Sequence, residues 1–169
     1  MESNFFGTEF EMYDSGEEYS KTKMMENYKK QLTYIEYSQV EGSPRRINAF
    51  ITTCDNKCTD FTILDQNDNL IQQKWKSNNK KNISQLYSKM PSFDPNECNF
   101  KLDFRGLAGI PSTKNFIIEN EEYPDALIFG RQPDKESYLM RIKAPFSIMQ
   151  AVAIAMSSIH HKFLWFGLI

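Results

Sequence analysis

Sixteen consecutive residues near the C-terminal end, Ala144 to Ile159, carry no charged side chain. Pro145 stands where a helix starts, its missing N–H costing nothing there, and Ile148, Met149, Ala151, Val152, Ala153, Ile154, Ala155 and Met156 follow. Alanine and methionine favour helices, so a helix is expected over residues 146–159. Such a helix is apolar nearly all round and must be enclosed by protein or lie in a membrane. At 1.5 Å per residue the run spans about 24 Å, short of a hydrocarbon core of roughly 30 Å. His160, His161 and Lys162 then interrupt it. A membrane span is the weaker alternative. The stronger one is a helix wholly enclosed by a closed β-sheet, since a barrel of eight or more strands can hold such a filler.

The rest of the chain supplies the strands. Residues 8–13, 32–38 and 99–104 alternate with the period of two of a half-buried strand. Residues 46–53, 61–64, 70–75, 115–119, 126–129 and 137–142 complete a set of about nine, at spacings of roughly 8–14 residues, as in a sandwich or barrel. Residues 17–30 are polar and irregular and read as a long loop or short helix. With 169 residues the chain fits one domain, 1–169.

Chemistry-bearing motifs are scarce. The net charge of −2 gives no global pull towards nucleic acid, and no nucleic-acid partner is expected. Cys54, Cys58 and Cys98 are an odd set with no disulfide framework, which fits a reducing compartment. Cys54-x3-Cys58 lacks the paired ligand clusters of a structural zinc site, and Cys98, His160 and His161 could join it only by accident of the fold. The N-terminus shows no signal peptide. No phosphate-binding glycine loop, nucleophile elbow or marked acid/base pair occurs. No catalytic residue, cofactor or metal is therefore expected, and the chain does not read as an enzyme.

Charge is unevenly spread. Residues 1–41 hold nine acids and four bases, whereas residues 42–93 hold eight bases and four acids. From Ile71 to Phe93 there are Lys74, Lys76, Lys80, Lys81 and Lys89, with Trp75 among them and no acid. Two readings stand. One is a solvated turn, residues 77–82, between two strands. The other is a patch for an anionic membrane, where each lysine near the surface adds roughly 1 kcal/mol.

Seven segments, in order, resemble one family, the C-terminal domain of tubby and tubby-like proteins. Ser3-Asn4-Phe5-Phe6-Gly7-Thr8 with Phe10, Tyr13, Asp14 and Gly16 resembles its Ser-Asn-x-x-Gly-Thr run. Gly42-Ser43-Pro44-Arg45-Arg46 resembles its Gly-Pro-Arg-Lys turn, and Ser88-Lys89-Met90-Pro91-Ser92-Phe93 its Asn-Lys-x-Pro-x-Trp segment. Leu102-Asp103-Phe104-Arg105-Gly106, Lys114-Asn115-Phe116 and Phe129-Gly130-Arg131 resemble later strand motifs, and residues 145–159 resemble the end signature. The resemblance covers roughly residues 3–164.

This resemblance implies a mainly β (α+β) fold, a closed twelve-stranded barrel threaded by a hydrophobic C-terminal helix. Here about nine strands are expected, an incomplete tubby-like barrel lacking roughly the first three. Such a barrel exposes sheet edges and part of an apolar helix, which invites association. The resemblance also implies binding of phosphatidylinositol 4,5-bisphosphate or an anionic membrane surface, ciliary trafficking partners, and a cytoplasmic protein peripheral at the plasma membrane or in the cilium. Family phosphate contacts come from cations. A Lys-x-Arg pair precedes the Ser-Asn of the motif, and here Glu2 stands at the arginine position. A third contact falls near Lys29. The candidate lipid contacts are Lys29, Arg45 and Arg46 of the turn, and Lys80 and Lys81 of the basic stretch. The alternative is a structural or ciliary adaptor whose lipid site has decayed.

Overall fold

The structure, a computed structural model, describes residues 1–17, 29–38, 43–53 and 70–160. The described residues hold ten strands and two helices, in chain order β1 (Glu2–Ser3), β2 (Glu9–Tyr13), β3 (Gln31–Ser38), β4 (Arg46–Thr52), α1 (Ile71–Lys76), β5 (Ile83–Ser88), β6 (Ser92–Asp94), β7 (Asn99–Lys101), β8 (Phe116–Glu119), β9 (Leu127–Arg131), β10 (Tyr138–Ile142) and α2 (Ile148–His160). Eight of the strands make one curled, open sheet in the order β1-β2-β3-β4-β5-β8-β9-β10. Every neighbouring pair in it is antiparallel. β6 and β7 form a separate hairpin. The expected partial barrel around a C-terminal helix is the fold observed.

Strand periodicity builds two apolar faces. Ile35 and Tyr37 of β3, Ile47, Ala49 and Ile51 of β4, Leu86 of β5, Phe116 and Ile118 of β8, and Leu127 and Phe129 of β9 all point to the α2 side. There they meet Ala151, Ile154 and Ala155. Tyr34, Phe50 and Ile83, on alternate positions, point the other way and pack with Ile71 and Trp75 of α1. Each large side chain so buried stabilises the fold by about 1.5–3 kcal/mol.

Helix α2 is seated by polar contacts as well as by packing. Ser147 and Gln150 form a reciprocal cap: the Ser147 N–H donates to Gln150 Oε1 (2.9 Å) and the Gln150 N–H to Ser147 Oγ (3.2 Å). The Gln150 amide then donates to the carbonyls of Leu32 (3.0 Å) and Thr52 (2.8 Å). At the other end the hydroxyls of Tyr37 and Ser157 lie 2.8 Å apart. The helix starts at Ile148, where Ser147 supplies the capping hydroxyl that a proline side chain lacks, and not at the expected Pro145. Enclosure is also one-sided. Ile148, Met149, Met156 and Ile159 are exposed, because among the described residues the sheet covers only one face of α2.

Other expectations shift. Residues 70–75 form no strand. Ile71, Lys74 and Trp75 share one side of α1, and the Ile71 N–H donates to the Gln31 side chain at 2.6 Å. β5 is a strand that sequence reading passes over, as are β1 and β6. The strand expected over 99–104 is confined to β7. The strand expected over 61–64, with Cys54, Cys58 and His161, lies outside the described residues, as does most of the loop expected over 17–30.

Gly130 of β9 is required sterically. A Cβ there would lie 2.5 Å from the Leu107 carbonyl oxygen and 2.7 Å from Ala108 Cα. Segment 107–110 rests against β9 at this point, the Gly109 N–H donating to the Arg131 carbonyl (2.9 Å).

Candidate functional site

The strand registers divide the candidate residues between two ends of the sheet. Tyr13 pairs with Gln31 and Thr52 with Ile83 at one end. Ser38 pairs with Arg46 at the other. Lys29, two residues before β3, and Lys80 and Lys81, three and two residues before β5, therefore share the first end. Arg45 and Arg46, at the start of β4, occupy the second. The five residues do not form one site.

At the first end, Lys29 is already engaged. Its ammonium meets Glu2 at 2.8 Å and lies 4.3 Å from the centre of the Tyr13 ring. Tyr13 donates to Glu11 at 2.6 Å, and burial together with that carboxylate pushes its hydroxyl above the usual phenol range. Beside it, Asp14 accepts the Lys30 N–H at 2.8 Å. The Lys29 ammonium is thus paired with a carboxylate of this chain.

Lys80 and Lys81 differ in kind. Both are exposed, and among the described residues no carboxylate forms an ion pair with them or with the exposed Lys76. The Lys80 ammonium lies 4.5 Å from the centre of the Trp75 ring, within the range of a cation–π contact. The turn carrying them is well defined. Asn78 and Asn82 take left-handed φ values of 62° and 57°, which asparagine tolerates. The Asn79 N–H donates to the Lys74 carbonyl at 2.9 Å and the Thr53 N–H to the Asn82 carbonyl at 2.9 Å.

Lys89 leaves the basic stretch. Its ammonium bridges Glu119 (2.9 Å) and Asp125 (3.2 Å), whose hydrogen bonds hold it protonated above the usual lysine value. Lys74 is turned inward and buried. The expected five-lysine patch contracts to Lys76, Lys80 and Lys81.

At the second end, Arg45 donates to Ser158 Oγ (2.7 Å) near the C-terminal end of α2 and lies 5.1 Å from the centre of the Tyr37 ring. Burial lowers its pKa, and the negative end of the helix suits its charge. Arg45 is a seat for α2. Arg46 is exposed, at the margin of a cleft of about 360 Å³ shared with Tyr87, Met90 and Glu119.

Neither the Glu2–Lys29 pair nor the removal of Lys89 is visible in a linear reading, because both join residues at least 27 positions apart. Asn78 and Asn82 are the local signal that the lysine turn has a fixed shape. Cys98 is an exposed free thiol. Among the described residues no group of three His, Cys, Asp or Glu side chains is placed to hold a metal, and no helix is long and apolar enough to cross a membrane.

Comparison with known proteins matches residues 1–161 to the model of the Tub family. Protein king tubby 1 of Aedes aegypti is 31% identical over 169 residues, covering 96% of this chain and 40% of the relative. Protein king tubby of Drosophila virilis is 30% identical, covering 96% of this chain and 36% of the relative. The chain spans about 40% or less of the length of these curated relatives.

Proposed function

Because the chain belongs to the Tub family, we propose that it is a non-enzymatic binding module whose lysine-bearing end docks on an anionic, phosphoinositide-containing membrane surface. On this reading it works as a peripheral trafficking adaptor on the cytoplasmic side of the plasma membrane or in the cilium. One observation carries the proposal. Lys76, Lys80 and Lys81 stand exposed without a carboxylate partner among the described residues, on a turn fixed beside Trp75. Three lysines at roughly 1 kcal/mol each give weak, salt-sensitive attraction to lipid phosphates, with the indole ring at hand for the interface.

A second reading has its own support. Glu2 neutralises Lys29, so the family's phosphate contact at this position is internally satisfied. That favours an adaptor that engages protein partners with its lipid site lost.

Vesicle co-sedimentation at low and high salt separates the two. Vesicles containing phosphatidylinositol 4,5-bisphosphate should retain the wild-type chain at low salt and release it at high salt. Lys80→Glu with Lys81→Glu should abolish retention. Glu2→Arg should strengthen retention by freeing Lys29 and adding a cation. No retention at low salt, even with Glu2→Arg, would leave the adaptor reading in possession.

A further inference from the structure

Ser43 is the one serine or threonine of the chain that a proline follows. The four residues there, Ser43-Pro44-Arg45-Arg46, are a hydroxyl, a residue without an N–H and two cations. A protein kinase that selects proline after its acceptor reads the missing N–H. Its cleft gives that position no hydrogen-bond partner, so any other residue would bury an amide unmet. Proline also biases Ser43 towards the extended backbone in which a substrate lies across a kinase cleft. A base three residues after the acceptor, here Arg46, is the further feature that cyclin-dependent members of this kinase class read.

The turn stands clear of the sheet's pairing. β4 begins at Arg46, where the Ser38–Arg46 pair ends its ladder with β3. Residues 43–45 precede that ladder. Ser43 and Pro44 are half-buried and Arg46 is exposed.

The surroundings of the turn are cationic. The Ser158 hydroxyl accepts from Arg45 (2.7 Å) and donates to the Lys114 carbonyl (3.1 Å), which draws residues 45 and 114 together at the end of α2. Burial, and then the Arg45 charge, lower the Lys114 pKa, as two like charges held close require. Among the described residues no carboxylate forms an ion pair with Arg45 or Arg46. A phosphoserine carries nearly two negative charges and three acceptor oxygens. Two and three residues span at most roughly 7 and 10 Å, a distance that a phosphoserine and an arginine side chain together cover. Arg45 is committed to Ser158 and α2, which leaves the Arg46 guanidinium to meet the phosphate with two parallel N–H groups.

We propose that Ser43 is a phosphorylation site for a proline-directed kinase, and that Arg46, in the field of Arg45 and Lys114, receives the phosphate. The γ-phosphoryl group of ATP passes to Ser43 Oγ: the bond to ADP breaks, the P–Oγ bond forms, and the hydroxyl proton leaves to the kinase's base. The site is separate from the membrane reading, whose lysines occupy the other end of the sheet.

The full chain, incubated with a cyclin-dependent kinase, ATP and Mg²⁺ and analysed by peptide mass spectrometry, tests this. The native wild type should gain one phosphate, on Ser43. Ser43→Ala should gain none, and Pro44→Ala should be modified at least about tenfold more slowly. The phosphorylated wild type should melt about 2–4 °C above the unmodified chain, and the rise should shrink at high salt. Arg46→Gln, driven to full phosphorylation by a longer reaction, should show no rise. A native chain left unmodified, phosphate on other residues only, or a rate indifferent to Pro44→Ala would overturn the acceptor. A midpoint unmoved by phosphate, or a rise that survives Arg46→Gln, would overturn the receiver.

Discussion

Asp125 lies where two motifs far apart in the chain meet. Burial pushes its carboxyl up, but the Lys89 ammonium at 3.2 Å, with Arg105 and Lys143 beyond it, more than offsets that and holds it below the usual aspartate value. A carboxyl depressed in the folded state contributes stability above its unfolded pKa of about 3.9, and that contribution is lost as pH falls through the folded value. Asp125→Asn should therefore lower the urea midpoint at neutral pH, by the equivalent of about 0.5–1 kcal/mol for a partly exposed pair. The gap from wild type should close in acid, as the pH falls past the usual aspartate range and through the depressed folded value. A gap unchanged by acid would mean that the carboxylate's charge is not what stabilises. The same contact shows why the site was only half legible in the sequence. Lys80 and Lys81 stand exposed, without an ion pair among the described residues, because their neighbours along the chain are also their neighbours in space. Lys29 and Lys89 are captured by Glu2 and by Glu119 with Asp125, partners that only the assembled sheet brings near.

Helix α2 shows how an element is read well in kind and less well in detail. Its apolar run announces a helix that must be covered, and the helix is there. Which side stays uncovered depends on how many strands wrap it, and helical periodicity carries no information on that. Buried and exposed positions now make different predictions. Ala153 is 2% exposed, so Ala153→Asp places an unpaired carboxylate in the core and should prevent soluble folding. Met156→Lys, on the open side, should leave the fold intact. Soluble expression and a thermal melt of the two variants decide the matter, and a cooperatively melting Ala153→Asp protein would refute the burial. Elements that did not announce themselves share a cause. α1 spans six residues, too few for a period of 3.6 to separate from a period of two. β5, Ile-Ser-Gln-Leu-Tyr-Ser, is polar at half its positions, and its strand character comes from pairing with β4.

Across the whole molecule, protection should follow the sheet's cross-section. β3 and β4 have hydrogen-bonded neighbours on both sides, α2 against one face of the sheet and α1 against the other. β1 and β10 are rims, and β6 with β7 stands outside the sheet. Native-state hydrogen exchange should be slowest in β3 and β4 and fastest in β1 and the β6–β7 hairpin. Uniform protection, or a slow hairpin, would contradict this. The strand order has a further consequence, in time. Apart from the excursion through residues 89–115, neighbours in the sheet are successors in the chain. A ribosome therefore delivers the strands in the order in which they pair, each onto a waiting partner. The helix that covers their shared apolar face emerges after all of them. Until that helix emerges, the growing sheet presents Phe10, Ile35, Ile47, Leu86 and Leu127 to solvent, an exposure that belongs to the nascent chain rather than to the finished one. A stop at any codon before Ile148 would leave that face permanently bare, so such a nonsense allele should yield an aggregating product in place of a merely shortened one.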